Sequence, residues 1–219
     1  MRLYLKLTKN TETIPFNYQD LLTGVLHKWI GDSNKEHGSP SLYSFSWFQN
    51  VKSTKKGIEL TSESFFFIST HEEALAKKII KGILKDPEVC YGSEVVDVQI
   101  LNTPHFENRK RFFLGSPAFI KRRTEDRENH ILYNDGQSGK FLTETLQKKL
   151  ELANLPIEGV KIQFDKEYPN PQTKVISYKK IQNRVNICPV IIEGSPEQIA
   201  FAWNVGVGNS TGIGFGSLK

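Results

Sequence analysis

The chain has 219 residues, 38% of them hydrophobic and 11% aromatic, enough for one large domain or two small ones with real cores and unlike a disordered segment. Lys and Arg number 29 against 24 Asp and Glu, a formal charge of +5 that leans only weakly towards a polyanionic partner. No stretch approaches the roughly 20 apolar residues of a membrane span, nothing reads as a secretory leader, and Cys90, Cys188 and five scattered histidines give neither a metal-ligand spacing nor a disulfide framework, so a cytoplasmic protein without metal or cofactor is expected.

Residues 2–8 alternate, with Leu3, Leu5 and Leu7 on one face and Arg2, Tyr4 and Lys6 on the other. A period of two predicts a half-buried strand whose outer face is basic and aromatic. Asn17 is placed to cap the following helix, with Asp20 three residues on. Tyr18, Leu21, Leu22, Val25, Leu26 and Trp29 recur at helical spacing until Gly31 ends the run. His27 points almost opposite that stripe and does not read as a core histidine. Residues 32–41 are rich in Gly, Ser, Asn, Asp and Pro and read as a loop that contains His37. Strands are predicted over 42–48 and 57–69. Next comes a helix with Thr70 and Glu73 as a capping box and Ala76, Ile79, Ile80 and Ile83 as its stripe, then a strand over 94–102. The order is β-α-β-β-α-β, the ferredoxin-like pattern shared by RNA-recognition modules. Alone it says little about function, because the fold hosts many.

Residues 104–115 lead into a second, looser pass. Residues 112–120 read as a strand, and Phe141, Leu142, Thr145, Leu146, Lys149, Leu150 and Ala153 as a helix face. Further strands are expected over 160–165, 174–178 and 185–192, with Pro189 marking an edge or a bulge. Ser195, Pro196 and Gln198 supply cap, first-position proline and capping-box glutamine for a short helix that continues through Ile199, Ala202 and Trp203. Insertions fall around 124–139 and 166–173. The expected fold is α+β, two tandem ferredoxin-like domains spanning residues 1–108 and 109–219.

The chain closes with Gly206, Gly208, Gly212, Gly214 and Gly216 inside 11 residues. Glycines let backbone pass close to a ligand, and successive N–H groups can cradle phosphate. The segment is no Walker motif, lacking the Gly-Lys-Ser/Thr ending. It is no dinucleotide fingerprint either, since it follows a helix rather than opening one. A structural loop leading into a short last strand is the plainer reading. This ending, after two ferredoxin-like units, strongly resembles the Cas6 family of CRISPR endoribonucleases. Ile14-Pro15-Phe16-Asn17-Tyr18 before the first helix and Ser116-Pro117-Ala118-Phe119 at the start of the second unit resemble the family too.

The resemblance implies a metal-independent endonuclease that cuts the repeat of precursor CRISPR RNA, usually at the base of a small hairpin, leaving a 2′,3′-cyclic phosphate and a 5′-hydroxyl. A base takes the proton of the 2′-OH, the oxyanion attacks the adjacent phosphorus, and an acid protonates the leaving 5′ oxygen. Histidine suits both roles because its pKa lies near neutrality. By the resemblance His37 stands at the family's catalytic histidine. His27 stands where many members carry a tyrosine, so the two form a candidate acid–base pair. The departure is a lysine that many members have just before the second strand. Here Ser41 precedes Leu42, and Lys35 or Lys28 is the candidate substitute, Lys28 being also counted among the RNA-binding residues.

RNA-binding candidates follow from charge. Arg109, Lys110, Arg111, Lys121, Arg122 and Arg123 lie in one stretch without an acidic residue, and Lys174, Lys179, Lys180 and Arg184 form a second basic region. Arg2, Tyr4 and Lys6 offer a sheet face on which bases could stack. The partners expected are precursor CRISPR RNA, subunits of a type I interference complex and a second copy of the chain, with no membrane. The competing readings are a non-cutting RNA-binding relative and a structural subunit of a surveillance complex.

Overall fold

A computed structural model describes residues 1–31, 40–123 and 128–219. The chain is α+β. Its first half runs β1 (Arg2–Leu7), α1 (Gln19–Ile30), β2 (Tyr43–Phe45), β3 (Lys52–Ser53), β4 (Ile58–Glu59), β5 (Phe65–Thr70), α2 (Glu73–Lys85), β6 (Glu88–Cys90) and β7 (Ser93–Leu101). Five of these strands form an antiparallel sheet in the order β2-β5-β1-β7-β6. Leu3, Leu5 and Leu7 are fully buried with Phe66, Ile68, Leu22, Leu26, Trp29, Ala76, Ile79 and Ile83 in one core. The two helices touch where Gly82 meets Trp29; a Cβ there would sit 2.5 Å from the Trp29 Cα, so the crossing depends on glycine.

Local details differ from the sequence expectations. Tyr18, not Asn17, precedes α1 and caps nothing with its side chain; the Asp20 carboxylate accepts instead from the Leu21 N–H at 3.0 Å. Thr70 accepts from the Glu72 N–H at 3.0 Å and makes a turn rather than a capping box. The strand expected over 57–69 is broken at 60–64, where Ser64 Oγ ties back to the carbonyl of Asn50. Leu21 is partly exposed, so the buried stripe of α1 is narrower than its apolar pattern.

The second half runs β8 (Arg109–Phe112), β9 (Lys121–Arg123), β10 (Glu128–His130), α3 (Ser138–Leu152), β11 (Lys161–Phe164), β12 (Gln172–Tyr178), β13 (Ile181–Ile187), β14 (Val190–Glu193), α4 (Pro196–Val205) and a 3-10 turn at Thr211–Ile213. A three-stranded sheet has the order β11-β14-β8, and Leu218 bridges to Leu114 just beyond β8. Its core gathers Phe112, Ile120, Leu142, Leu146, Leu150, Ile162, Phe164, Val190, Ile192, Ile199 and Ala202. The capping box of α4 forms as its sequence requires, with Gln198 N–H to Ser195 Oγ at 3.2 Å and Ser195 N–H to Gln198 Oε1 at 2.9 Å. Two expected strands do not: residues 113–120 are mostly irregular, and 185–192 breaks at Cys188-Pro189, where proline has no N–H to continue the ladder.

The halves lock through the face of the first sheet that the alternation assigns to solvent. Arg2 is only 2% exposed. Its guanidinium lies 4.0 Å from the Phe67 ring centre and 3.7 Å from that of Trp203 on α4. It donates to Ser69 Oγ at 2.7 Å and to the Leu218 carbonyl at 2.6 Å. Tyr4 is half-buried between Phe65 and Phe67, and only Lys6 of the three is exposed. The face expected to be open to bases is therefore occupied at Arg2 by the second half.

Candidate functional site

After α4 the chain turns at Gly206 and runs between the two halves. Val207 N–H donates to the Gly216 carbonyl and Gly216 N–H to the Pro117 carbonyl, both at 2.8 Å. Trp47 Nε1 donates to the Gly214 carbonyl at 2.8 Å and Tyr43 Oη to that of Gly212 at 3.3 Å. Gly214 has φ +87 and a Cβ there would meet the Phe45 ring at 2.8 Å; Gly212 is pressed against the Ser41 side chain. The glycines thus let two cores approach each other, which is the structural reading of the motif. Much of the backbone is spent this way: the N–H groups of Gly206, Val207, Asn209, Ile213, Gly214, Gly216 and Ser217 all donate within the fold. Among the described residues, the N–H of Phe215 meets no acceptor, nor do those of Gly208, Ser210, Thr211 and Gly212.

Three of those residues, Gly208, Ser210 and Thr211, line a cleft of about 600 Å³ together with Asn209, Pro40, Ser41, Lys121, Arg122, Thr145, Lys148 and Lys149. β9 is held at this cleft because Lys121 N–H donates to Asn209 Oδ1 at 2.9 Å. Lys121 pairs with Glu128 at 3.1 Å and Arg122 with Glu144 at 2.9 Å. Arg122 also packs 4.4 Å over the Phe141 ring. Lys148 and Lys149 were not among the site residues expected from sequence. The available signal was a lysine inside the apolar stripe of a helix, between Leu146 and Leu150. Its ammonium is buried and donates to Thr211 Oγ1 at 2.8 Å and the Val205 carbonyl at 3.0 Å. Burial pushes its pKa down to about 7.

α1 flanks the other side of the same segment. Gln19 Nε2 donates to the Ile213 carbonyl at 2.7 Å, and Thr23 Oγ1 reaches it at 3.4 Å. His27 continues the row Gln19, Thr23, His27 at intervals of four, so it shares the face turned towards the glycine-rich segment. It is half-buried rather than an exposed residue. Tyr178 at the end of β12 also meets Thr23, and burial raises its pKa. Lys28 is already engaged, with Asp86 at 2.9 Å and the Glu88 carbonyl at 2.8 Å. His37 and Lys35 lie outside the described residues. Pro40 and Ser41, which follow that stretch, line the cleft.

The remaining cations are not gathered in one place. The stretch that is single-signed in sequence divides between β8 and β9, and carboxylates meet it across space: Arg109 pairs with Glu193 at 3.0 Å and Arg111 with Asp165 at 2.7 Å. Lys110 and Arg123 are exposed and have no ion pair among the described residues. Lys174 and Arg184 are exposed on the β12–β13 hairpin. Lys179 and Lys180 form its tip, both left-handed with φ 46 and 69. No group of three or more His, Cys, Asp or Glu side chains suited to a metal occurs among the described residues, and no helix there is long and apolar enough to cross a membrane.

Two family models match the chain. One, described as CRISPR associated protein Cas6, C-terminal, covers residues 101–219; the other, CRISPR-associated protein Cas6, N-terminal, covers 13–102. The chain is similar to the CRISPR-associated endoribonuclease Cas6 of Pyrococcus furiosus, at 23% identity over 94% of this chain and 83% of that protein. Among solved structures it resembles a Cas6-related protein from Pyrococcus furiosus, with TM-score 0.85, 23% identity and coverage of 100% of this chain and 97% of the other. It also resembles a structure described as an RAMP protein binding different RNA substrates, with TM-score 0.83, 22% identity and coverage of 100% and 98%. At such identities the structural likeness speaks to the fold.

Proposed function

This chain belongs to the Cas6 family of CRISPR-associated proteins, and from that premise we propose that it is a metal-independent endoribonuclease that cuts the repeat of precursor CRISPR RNA. The observation that carries the reading is the glycine-rich segment. It borders a cleft lined by Lys121, Arg122, Lys148 and Lys149 on one side and takes hydrogen bonds from the His27-bearing face of α1 on the other. RNA phosphates enter the cleft, where cations and the N–H groups at Gly208, Ser210 and Thr211 meet them. His27 and His37 exchange the protons: one removes the 2′-OH proton, the 2′ oxygen closes on phosphorus, and the other protonates the departing 5′ oxygen. The products are a 2′,3′-cyclic phosphate and a 5′-hydroxyl. We take His37 as the base.

In the same reading residues 1–108 and 109–219 are tandem ferredoxin-like domains. Support comes from the strand order β2-β5-β1-β7 in the first and β11-β14-β8, extended by the Leu218 bridge, in the second: each unit's strands lie in the order second, third, first, last. Arg123, Lys110 and the β12–β13 cations Lys174, Lys179, Lys180 and Arg184 extend the RNA path. Product held after cleavage would hand the protein to a type I interference complex. One observation favours the non-cutting alternative: Lys28 is committed to Asp86 and Glu88, which leaves Lys35 as the candidate for the lysine that many members have.

The test is cleavage of cognate repeat RNA by wild type, His27→Ala and His37→Ala, with EDTA present. Wild type should cut fully in EDTA. Each variant should bind RNA yet cut about 10²–10⁴-fold more slowly. Wild-type rates in both variants would remove the histidine pair, and binding without cutting by wild type would establish the alternative.

A further inference from the structure

We propose that Lys149 is a buried cation that pins the glycine-rich segment and presents an uncompensated positive charge to RNA phosphate at the floor of the cleft; the inference rests on the RNA-binding reading above. Its position is one where an apolar side chain would pack at less cost. α3 buries Leu142, Leu146 and Leu150 along the same stripe, and Lys149 is 2% exposed among them. Taking an ammonium out of water costs several kcal/mol unless its protons are well met. Among the described residues they are met only by neutral oxygens: Val205 O at 3.0 Å, Thr211 Oγ1 at 2.8 Å and Gly206 O at 3.5 Å. Two of these are carbonyls at the C-terminal, negative end of α4. The ammonium therefore joins α3, the end of α4 and the turn that starts at Thr211.

The donor arithmetic matters for what the cleft can bind. An ammonium has three donors and no acceptor, so the Thr211 hydroxyl accepts from Lys149 and keeps its own proton to donate. That proton adds to the N–H groups of Gly208, Ser210 and Thr211 on the cleft wall.

The charge balance separates Lys149 from Lys121 and Arg122, and burial separates it from Lys148, which is exposed and has no ion pair among the described residues. Lys121 has Glu128 and Arg122 has Glu144. Among the described residues Lys149 has no carboxylate partner. A charge matched only by dipoles keeps its field, and a low-dielectric floor directs that field into the opening. Among the described residues, the other charged or titratable groups around it are Lys148 and Glu144 on α3, Lys121 and Arg122 on β9, and Tyr43 on β2, whose hydroxyl sits on Gly212 O. The last turn of α4 and residues 206–216 contribute none. Since burial brings the Lys149 pKa down to about 7, the group titrates around neutral pH, and an arriving phosphate favours its charged form. RNA binding is then accompanied by proton uptake.

The experiment measures affinity from pH 6.5 to 8.5 at constant ionic strength for wild type, Lys149→Met and Thr211→Val. The probe is a CRISPR repeat RNA with 2′-O-methyl riboses, which removes the attacking hydroxyl and so separates binding from cleavage. Wild-type affinity should fall about tenfold across that range, within the limit of tenfold per pH unit for one linked proton. Lys149→Met should bind about tenfold more weakly at pH 6.5 and show no such fall. Thr211→Val leaves α3 untouched and takes one acceptor from the ammonium, so its pH dependence should move to lower pH. Affinity independent of pH in wild type overturns the proposal while leaving RNA binding intact. So does an unaltered pH dependence in Thr211→Val or in folded Lys149→Met. If wild type binds no RNA at any pH, the RNA-binding reading fails and this inference fails with it.

Discussion

Replacing Arg2 with methionine tests how the halves are joined. The substitution keeps most of the stem and removes the guanidinium. The Leu218 carbonyl (2.6 Å) and Ser69 hydroxyl (2.7 Å) then lose their donor, at about 1–3 kcal/mol for each buried group left unsatisfied. The stacking on Phe67 and Trp203, at 4.0 and 3.7 Å, is worth about 2 kcal/mol for a desolvated cation. Against this stands the relief of no longer burying a charge, itself a few kcal/mol. The orphaned groups stay buried, so the losses prevail, and a net destabilisation of about 3 kcal/mol is expected. Urea unfolding followed by tryptophan fluorescence measures it, because Trp203 is one of the two rings against Arg2. Arg2→Lys should fall between, since a point charge replaces a planar fork that stacks. A methionine variant as stable as wild type would mean that desolvation cancels the contacts and that Arg2 is not what clasps the halves.

Three further outcomes are expected. Lys179→Asn with Lys180→Gly relieves two left-handed lysines at the β12–β13 turn; thermal unfolding should show a gain of about 1–2 kcal/mol, and RNA binding should weaken as two charges leave. Lys149 is held below its ordinary 10.5, at about 7. Between those values the unfolded chain binds more protons, so stability should rise with pH above about 7, by at most about 1.4 kcal/mol per unit, and Lys149→Met should lose that rise in urea titrations across pH 7–9.5. That dependence is opposite in sign to the one expected for RNA affinity. Arg122→Ala with Arg123→Ala should weaken repeat-RNA binding and flatten its decline with salt by up to about two phosphate contacts; an unaltered salt slope would take β9 out of the RNA path.

Local order was legible in the chain itself. Alternation at Leu3, Leu5 and Leu7 and helical spacing at Ala76, Ile79 and Ile83 specify elements through contacts within a few residues. The Ser195-Pro196-Gln198 start of α4 needs only the three residues that make it. The glycine-rich ending was visible as a motif, as was a lysine within the apolar stripe of α3. What the sequence could not convey is what lies opposite each side chain. The period of two puts Arg2 on the far face of β1, but α4 and the chain end, some 200 residues later, decide that this face is closed. The stretch from Arg109 to Arg123 holds no acid, yet Glu193, Asp165 and Glu144 reach it from distant elements. Steric and hydrophobic periodicity acts along the chain and can be read there. The partners of a charge are set by long-range packing, so tertiary structure alone decided which cations clasp the fold and which line the cleft.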